Sequence, residues 1–341
     1  MKHKILSLAN ALLLGVVMSP LAAQAGELRV LTHGTFAIPK PLLDQFEADS
    51  GTKLRITKTG DASEMLNKLI STKAEPVADV VFGIDNTLVG KALAAQVLDV
   101  YKGPAVSRPS KVALPSAVVP VDYGYVAINY DKAWFVKNKL ALPTSLEDLT
   151  QARYAKLLAV QNPATSSTGN AFMLATVGSM GEEKAFGWWA RMRSNGLKVA
   201  KGWSEAYYTE FSQNGGAYPL VVSYATSPAA ELFYSKGKFT EPPTGSLALP
   251  GAVFRQVEGV ALVKGGSARA AAEKFIEFMR SPAVQQGLQT EMWMYPADAG
   301  VARAEALRFA PEPTASDSPS AQDVASKGSN WMARWTKVVL K

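Results

Sequence analysis

The sequence has 341 residues, of which 48% are hydrophobic, a formal net charge of +7 and no cysteine. This composition argues against a disordered chain, and without cysteine there can be no disulfide bond, thiolate metal site, cysteine nucleophile or acylated lipoprotein cysteine. The basic residues are dispersed among acidic ones and form no cluster interleaved with aromatic residues, so we expect no nucleic-acid partner.

The first 25 residues predict a signal peptide. Residues 2–4 (Lys-His-Lys) form a basic start, residues 5–18 are mostly apolar, and residues 23–25 (Ala-Gln-Ala) match a small-x-small cleavage pattern. The mature chain should begin at Gly26 and carry two fewer positive charges. No later apolar run reaches the ~20 residues that a spanning helix requires. We therefore expect an exported, soluble protein without a lipid anchor, which favours the periplasm.

After the leader, strand and helix patterns alternate. The predicted elements are a strand at 27–31, a helix at 39–49, a strand at 54–57, a helix carrying Met65, Leu66, Leu69 and Ile70, and a strand at 79–83. This order predicts a parallel sheet with right-handed crossovers.

A long strand over residues 121–127 should carry the chain from a first α/β lobe into a second. The second lobe is predicted to contain a short helix at 144–149, a strand at 157–161, helices at 170–180 and 182–195, a strand at 197–200, a helix at 203–212 and a strand at 220–224. A strand in 253–265 then returns to the first lobe and precedes a helix at 268–280 that ends at Ser281-Pro282. The tail contains a low-complexity patch at 311–320 and a closing helix with Trp331 and Trp335.

The predicted fold is therefore α/β with two lobes. Lobe 1 is expected to comprise residues 26–120 and 253–299, and lobe 2 residues 121–252 and 300–341. Two lobes that are joined by more than one crossing leave a cleft between them and can close on a ligand like a hinge.

Three loops suggest where this cleft lies. In residues 79–93, 157–175 and 220–230, an apolar run gives way to small polar residues and then to a helix-like segment. Ligands of open α/β sheets bind beyond the carboxyl ends of the strands. Each loop alone is equally well explained as an ordinary turn with capping residues, but the three together favour a shared site.

The last of these loops provides specific candidates. Tyr224 and Thr226 should point into the cleft, Ser227 is a good helix N-cap, and Pro228 suits the first helical turn. Asp61 and Asp85, each just after a predicted strand, could add hydrogen bonds or a countercharge, although Asp85 is equally suited to cap the next helix.

Catalytic and metal sites are poorly supported. After leader removal His33 is the one remaining histidine, and no G-x-S-x-G, phosphate-loop or dinucleotide motif is found. We expect no catalytic residue and no metal site, and we interpret His33 as structural or ligand-facing.

Binding is better supported. Aromatic residues lie at or beside polar breaks, where their faces could stack on flat rings and attract cations; they are Trp203, Tyr207, Tyr224, Trp293 and Tyr295. Hydroxyls of Ser166, Ser167 and Ser227 could hold a polar or phosphate end at a helix N-terminus. The pattern favours a small, aromatic, cationic ligand. Any one aromatic could instead belong to the core, as we expect for Trp188 and Trp189.

A series of motifs resembles one family. In order they are DVVFGIDNTL, VDYGY, NYDKAWF, QNPATSSTGNAF, KGWSEAYY, VVSYATSPA, KFIEFMRSP and WMYP. From about Leu28 to Pro296 the chain resembles the thiamine-binding periplasmic proteins that serve ATP-driven importers. The resemblance implies a type II periplasmic binding protein fold. It also implies a monomer that captures thiamine, thiamine monophosphate or thiamine diphosphate and delivers it to an inner-membrane permease with its ATPase. No cofactor is expected.

The resemblance also implies ligand contacts, in addition to the candidates His33 and Asp85. The ligand contacts that the resemblance implies are Asp61, Ala62, Ser166, Ser167, Trp203, Tyr224, Ala225, Thr226, Ser227 and Trp293. The chain departs from the family at His33-Gly34, where relatives often have Tyr-Asp, at Ala62 in place of glycine, and at Ala230 in place of a tyrosine in some relatives. One stacking face is then absent or supplied by other residues.

Three alternatives remain at this stage. A ferric-ion carrier would use a tyrosine pair with carboxylate or histidine ligands, whereas SYATS offers one tyrosine. A polyamine carrier would favour several carboxylates over a serine-lined pocket. A secreted hydrolase is disfavoured by the single histidine.

Overall fold

The computed structural model describes residues 26–341, so the predicted signal peptide lies outside the described residues. The strands are β1 (Gly26–Thr32), β2 (Thr52–Lys58), β3 (Val80–Asp85), β4 (Leu98–Asp99), β5 (Val119–Asp131), β6 (Leu158–Gln161), β7 (Lys198–Ala200), β8 (Leu220–Tyr224), β9 (Thr244–Leu247), β10 (Phe254–Val263) and β11 (Tyr295–Pro296).

Thirteen α-helices connect these strands in the described range. They are α1 (Lys40–Ser50), α2 (Ala62–Ser71), α3 (Val89–Ala94), α4 (Lys132–Lys137), α5 (Leu146–Leu149), α6 (Ala152–Ala155), α7 (Ser167–Met180), α8 (Glu182–Ser194), α9 (Trp203–Glu205), α10 (Ser227–Tyr234), α11 (Arg269–Met279), α12 (Pro282–Glu291) and α13 (Ala321–Trp335). Within residues 26–341 we find no helix with the length and apolar character needed to cross a membrane.

The strands form one continuous sheet with the order β2-β1-β3-β10-β5-β8-β6-β7. At one end β1 is parallel to β2 and β3, and at the other end β6 is parallel to β7 and β8. Strands β10 and β5 lie between these groups and pair antiparallel to each other and to their neighbours. The predicted α/β class and the parallel βαβαβ start are confirmed.

The two largest of the five buried hydrophobic clusters in residues 26–341 form the main cores of the two lobes. The first core lies around β1, β3, the start of β5 and helices α11 and α12. The second lies around the end of β5, β6, β8 and helices α7 and α8, and the closing helix α13 contributes to it through Trp331 and Trp335. Strand β5 takes part in both, because its first half pairs with β10 and its second half with β8 and β9. The exact lobe boundaries proposed from the sequence remain predictions.

Two local predictions were wrong, and helix α12 was missed. Residues 203–212 do not form one α-helix: α9 lasts three residues and continues as a π-helical turn, Ala206–Glu210, which stacks Tyr207 on Trp203. The predicted end of α11 at Ser281-Pro282 is confirmed, but the same two residues also begin α12, which was not predicted: the Ser281 hydroxyl accepts a hydrogen bond from Val284 N–H. Ser227 is the first residue of α10 rather than its N-cap, and its hydroxyl bonds Ser223 instead.

Candidate ligand-binding site

A cavity of about 760 Å³ lies between the two lobes, within the size range of small-molecule sites. Its walls come from the loops after β1 and β2, the start of α7, the segment around α9, the end of β8 with α10, the middle of β10, and the loop after α12. The loops after β1, β2 and β8 and the one before α7 all follow carboxyl ends of parallel strands, which is where α/β sheets bind ligands.

The floor of the cavity is a network of polar side chains around Tyr224. The Tyr224 hydroxyl donates to Gln256 Oε1 at 2.8 Å and lies 3.5 Å from Thr168 Oγ1. The Gln256 amide donates to Ser167 Oγ at 3.2 Å and to the Asp85 carboxylate. Tyr224 is therefore fixed from behind, and its ring is held at the cavity in one orientation.

Carboxyl groups line up behind this floor on three adjacent strands. Glu258 on β10 is directly opposite Asp85 on β3 and Asp122 on β5. All three side chains are buried, and burial raises the pKa of each. The pKa of Asp85 rises to about 6 despite hydrogen bonds from Thr87 and Gln256. For Glu258, the neighbouring carboxylates raise the pKa further. Glu258 thus holds a proton at pH values where a free glutamate would have lost it.

His33 lies against this acidic row. Its Nδ1 is 2.9 Å from the Thr35 hydroxyl, and its Nε2 is 3.7 Å from Glu258 Oε1. Gly83 lies under the ring at φ +104°, and a Cβ there would come within 2.4 Å of the imidazole, so only glycine fits. Burial lowers the pKa of His33 to about 4, although the charge of Asp61 opposes the shift and that of Lys58 reinforces it.

We therefore expect His33 to make the fold sensitive to acid. The unfolded chain takes up a proton near pH 6.5 and the folded chain only near pH 4, so stability is intact above pH 6.5 and is lost as the pH falls toward 4. Between pH 7.5 and 5.0 this amounts to about 2 kcal/mol. Urea unfolding of the wild type and of His33→Gln at both pH values measures it, and an equal pH dependence in both proteins would contradict the prediction.

Asp61 connects the lobes at one side of the cavity. It is the N-cap of α2, where its Oδ1 accepts from Ala62 N–H at 2.8 Å. Across the cleft, Oδ2 accepts from the Trp203 N–H at 3.1 Å, and Oδ1 lies 3.5 Å from the Ser167 hydroxyl. Asp61 therefore holds the starts of α2, α7 and α9 together.

Trp203 forms one aromatic wall. Its ring stacks on Tyr207 with centroids 5.0 Å apart and an interplanar angle of 12°, and its Nε1 donates to Ser223 Oγ at 2.9 Å. Trp203 is only partly buried. With the Tyr224 ring 6.4 Å away, two aromatic faces meet near the polar floor.

Trp293 forms a second wall. It is 8% exposed and has a φ of +59°, which a bulky non-glycine residue rarely adopts and which is often found at ligand sites. Its Nε1 donates to the Tyr234 hydroxyl at 3.3 Å, and its ring meets those of Phe233 and Tyr234 edge-on.

The cavity lining is acidic although the whole chain is basic. Without the buried Glu258, which keeps its proton, the carboxylates of the lining still outnumber its cations; they are Asp61, Glu64, Glu205, Glu231 and Glu291. Lys201 also lines the cavity, but its Nζ is 2.9 Å from Glu64 Oε1 and is thus neutralised by that ion pair. In residues 26–341 we find no group of three or more acidic or histidine side chains arranged to hold a metal ion. The site is suited to an organic cation with flat rings.

Comparison with protein families matches residues 75–325 to a model described as bacterial extracellular solute-binding protein. The chain belongs to this family. The thiamine-binding periplasmic protein of Salmonella typhimurium is 31% identical over 325 residues, which cover 92% of this chain and 93% of the relative. That of Escherichia coli is 30% identical over 328 residues with the same coverage. The family resemblance predicted from the motifs is therefore confirmed, and so is the substrate-binding role.

Solved structures confirm the fold of this solute-binding protein. A periplasmic thiamin binding protein matches with a TM-score of 0.81 and 30% identity, over 93% of this chain and 98% of that one. A ferric binding protein from Campylobacter jejuni matches with a TM-score of 0.73 over 91% of this chain and 99% of that one, but at 18% identity. The second likeness concerns the fold alone.

Most of the residues predicted from the sequence line the cavity of this solute-binding protein. They are His33, Asp61, Ala62, Ser167, Trp203, Tyr224, Thr226, Ser227 and Trp293, together with Tyr207. Their contacts with a ligand remain predictions.

Four other candidates lie elsewhere. Ser166 is fully buried, and its hydroxyl caps α7 by accepting from Gly169 N–H. Ala225 lies behind the wall and donates its N–H to Tyr125 O. Asp85 accepts from the N–H groups of residues 87 and 88 just before α3 and acts from behind the floor. Tyr295 is buried in the core with its hydroxyl on Ala310 O.

Sequence reasoning missed several cavity residues. They are Glu64, Tyr208, Glu231, Tyr234, Glu258 and Glu291. Tyr208 was visible as the second tyrosine of KGWSEAYY, and Glu231 and Tyr234 follow SYATSPA at helical spacing. Glu258 carried no local signal, because its role depends on its neighbours across the sheet.

Proposed function

We propose that this protein captures thiamine in the periplasm and delivers it to an ATP-driven importer. The observation that carries the proposal is the pairing of aromatic walls, formed by Trp203, Tyr224 and Trp293, with an acidic lining. Thiamine joins an aminopyrimidine ring to a positively charged thiazolium ring, so it presents two flat surfaces and one permanent cation. Flat cations bind favourably over aromatic faces, at ~0.5–2 kcal/mol per contact. The names of the relatives support the same ligand.

We propose that the protein binds its ligand without catalysing a reaction of it. The cavity contains one histidine, and its Nε2 faces the buried Glu258 while its Nδ1 is engaged by Thr35. An imidazole in that position supports the floor of the cavity and is not placed to act as a general acid or base on a substrate. We accordingly propose a binding protein that releases its ligand unaltered.

Delivery would follow from closure of the lobes. In this proposal the ligand enters an open cleft, and the second lobe then brings Trp203 onto Asp61 and Lys201 onto Glu64. The closed monomer would be the form recognised by an inner-membrane permease and its ATPase. We further propose that the mature protein is soluble and not lipidated, and that thiamine monophosphate and diphosphate are also ligands.

Thermal unfolding with added ligands tests this function. Thiamine at 100 times its Kd should stabilise the protein by about 2.7 kcal/mol, with a corresponding rise in Tm. Thiamine monophosphate, thiamine diphosphate, ferric citrate and spermidine are measured in parallel. The proposal fails if the three thiamine species leave Tm unchanged, and a rise with ferric citrate or spermidine alone would favour the corresponding carrier.

A further inference from the structure

The chain after β11 forms a third connection between the lobes, in addition to β5 and β10. It starts on the first lobe, where the buried side chain of Gln289 in α12 holds it at two points. Gln289 Nε2 donates to Ala302 O at 3.0 Å, and Gln289 Oε1 accepts from Ala304 N–H at 2.7 Å. Arg303 lies between these points, and its guanidinium carbon is 4.8 Å from the ring centroid of Tyr295 in β11. Arg303 is therefore anchored to the first lobe.

The same stretch of chain ends on the second lobe. Asp317 N–H donates to Val253 O at 2.7 Å, and the Asp317 carboxylate accepts from Gly251 N–H at 2.8 Å. Ala252, which lies between these two partners, belongs to the second core. Residues 304–317 therefore run from one lobe to the other, and a rotation of the lobes must change their path.

Glu312 lies within this connection and bonds the strand that crosses between the lobes. Its Oε1 accepts from the Tyr123 hydroxyl and its Oε2 from the Tyr125 hydroxyl, each at 3.0 Å, and Arg303 also donates to Oε1. Both tyrosines belong to β5. Burial, together with Glu312, raises the pKa of both, so both remain protonated and donate. We call Glu312, Arg303, Tyr123 and Tyr125 the clasp.

The clasp is separate from the ligand cavity, since none of its four residues lines that cavity. Successive side chains of a strand point to opposite faces, so Tyr123 and Tyr125 point away from the face that carries Asp122. The two tyrosines pack instead with α10 and the tail, in a cluster that includes Ala229 and Leu307. An effect of the clasp on ligand binding must therefore act through the position of the lobes.

Glu312 joins groups that are attached to different lobes. Arg303 is held by the first lobe, whereas Tyr125 O accepts from Ala225 N–H at 2.8 Å, directly after β8 of the second lobe. The clasp is complete while the lobes are in contact across the cleft at Asp61. Because its partners move with different lobes, opening of the cleft must lengthen at least one of these charge-assisted hydrogen bonds.

We propose that Glu312 is a positioning residue for ligand capture: by bonding Arg303 and the two tyrosines of β5, it holds the lobes in the closed arrangement from outside the ligand cavity. The apparent affinity for a ligand of the closed form falls in proportion to the fraction of molecules that are closed. Loss of the clasp therefore raises the Kd without removing any ligand contact. This inference rests on the lobe closure proposed above and not on the identity of the ligand.

Substitution of Glu312 tests the clasp. Glu312→Gln should raise the Kd for thiamine in calorimetry by about 2- to 30-fold, the range for residues that couple to a site without touching its ligand. If the wild type is mostly closed without ligand, the variant should instead show a larger ligand-free radius of gyration in small-angle X-ray scattering, which saturating thiamine returns to the wild-type value. Tyr123→Phe and Tyr125→Phe remove one hydrogen bond each and keep the ring, so they should cause smaller changes in the same direction.

The matched control is Glu305→Gln. Glu305 belongs to the same tail and pairs with Arg308 three residues later, so its ion pair does not join the lobes, and both the Kd and the radius should stay at wild-type values. The inference is overturned if Glu312→Gln leaves the Kd and the ligand-free radius unchanged while lowering the free energy of unfolding, or if it tightens binding. If Glu312→Gln does not fold, the two phenylalanine variants decide by the same criteria.

Failure of the proposed function is a separate result, which is seen in the wild type alone as absence of binding of any thiamine species. The ligand-free radius of gyration then decides the role of the clasp. A larger radius for Glu312→Gln than for the wild type and Glu305→Gln would support the clasp without the vitamin, and equal radii would overturn it.

Discussion

Replacing Trp203 by alanine should raise the Kd for thiamine by about 5- to 150-fold, or ~1–3 kcal/mol. Two contacts position the indole: Tyr207 stacks on one face, and Ser223 Oγ accepts a hydrogen bond from Nε1. A third contact fixes the backbone of Trp203, because Asp61 accepts a hydrogen bond from its N–H. A side chain held this firmly loses little conformational entropy when it stacks on a ligand. Isothermal titration calorimetry measures the change directly.

The matched variant for this prediction is Trp203→Phe. Phenylalanine keeps an aromatic face but cannot donate to Ser223, so its Kd should lie between those of the wild type and the alanine variant. Because the Trp203 side chain is only partly buried, its loss should change the free energy of unfolding less than it changes binding. An alanine variant with wild-type affinity would show that Trp203 is not a ligand wall.

Local patterns predicted the sheet of each lobe well. Strands β1, β2 and β3 were identified from short apolar runs between helix signals, and their parallel pairing follows from the βαβ rule. The same reasoning could not choose between neighbouring residues of one polar loop. Ser166 and Ser167 are equivalent in the sequence, yet one caps α7 and the other faces the cavity, because the turn rotates successive side chains in different directions.

The acidic row behind the floor could not be predicted from local sequence. Asp85, Asp122 and Glu258 are far apart in the chain and become neighbours only through the antiparallel register of β10 with β3 and β5. A shift of one residue in either pairing would turn Glu258 to the opposite face. The position of His33 beside Glu258 depends on the same register.

The Trp189→Ala variant should lose ~3–5 kcal/mol of folding free energy, the usual cost of removing a fully buried large aromatic side chain. Trp189 is 1% exposed and meets the rings of Phe172, Trp188 and Trp335 edge-on at 5.7, 4.9 and 5.4 Å. Its Nε1 also donates to the Thr176 hydroxyl at 3.0 Å. Alanine would leave a cavity in the second core, and the Thr176 hydroxyl would lose the hydrogen bond it accepts while still donating to Met173 O.

The ring contact with Trp335 gives this variant a second, local readout. Trp335 ends α13 and is fully buried, so the cavity left by Trp189→Ala should loosen α13 before the rest of the lobe unfolds. Urea unfolding measures the global loss, and limited proteolysis in residues 311–320 measures the release of α13. Trp134→Ala is the control, because Trp134 is only partly buried against the same core and should cost less. If Trp189→Ala lost under 1 kcal/mol and α13 stayed protected, the aromatic contacts with Trp335 would not be what fastens the C-terminal helix to the second lobe.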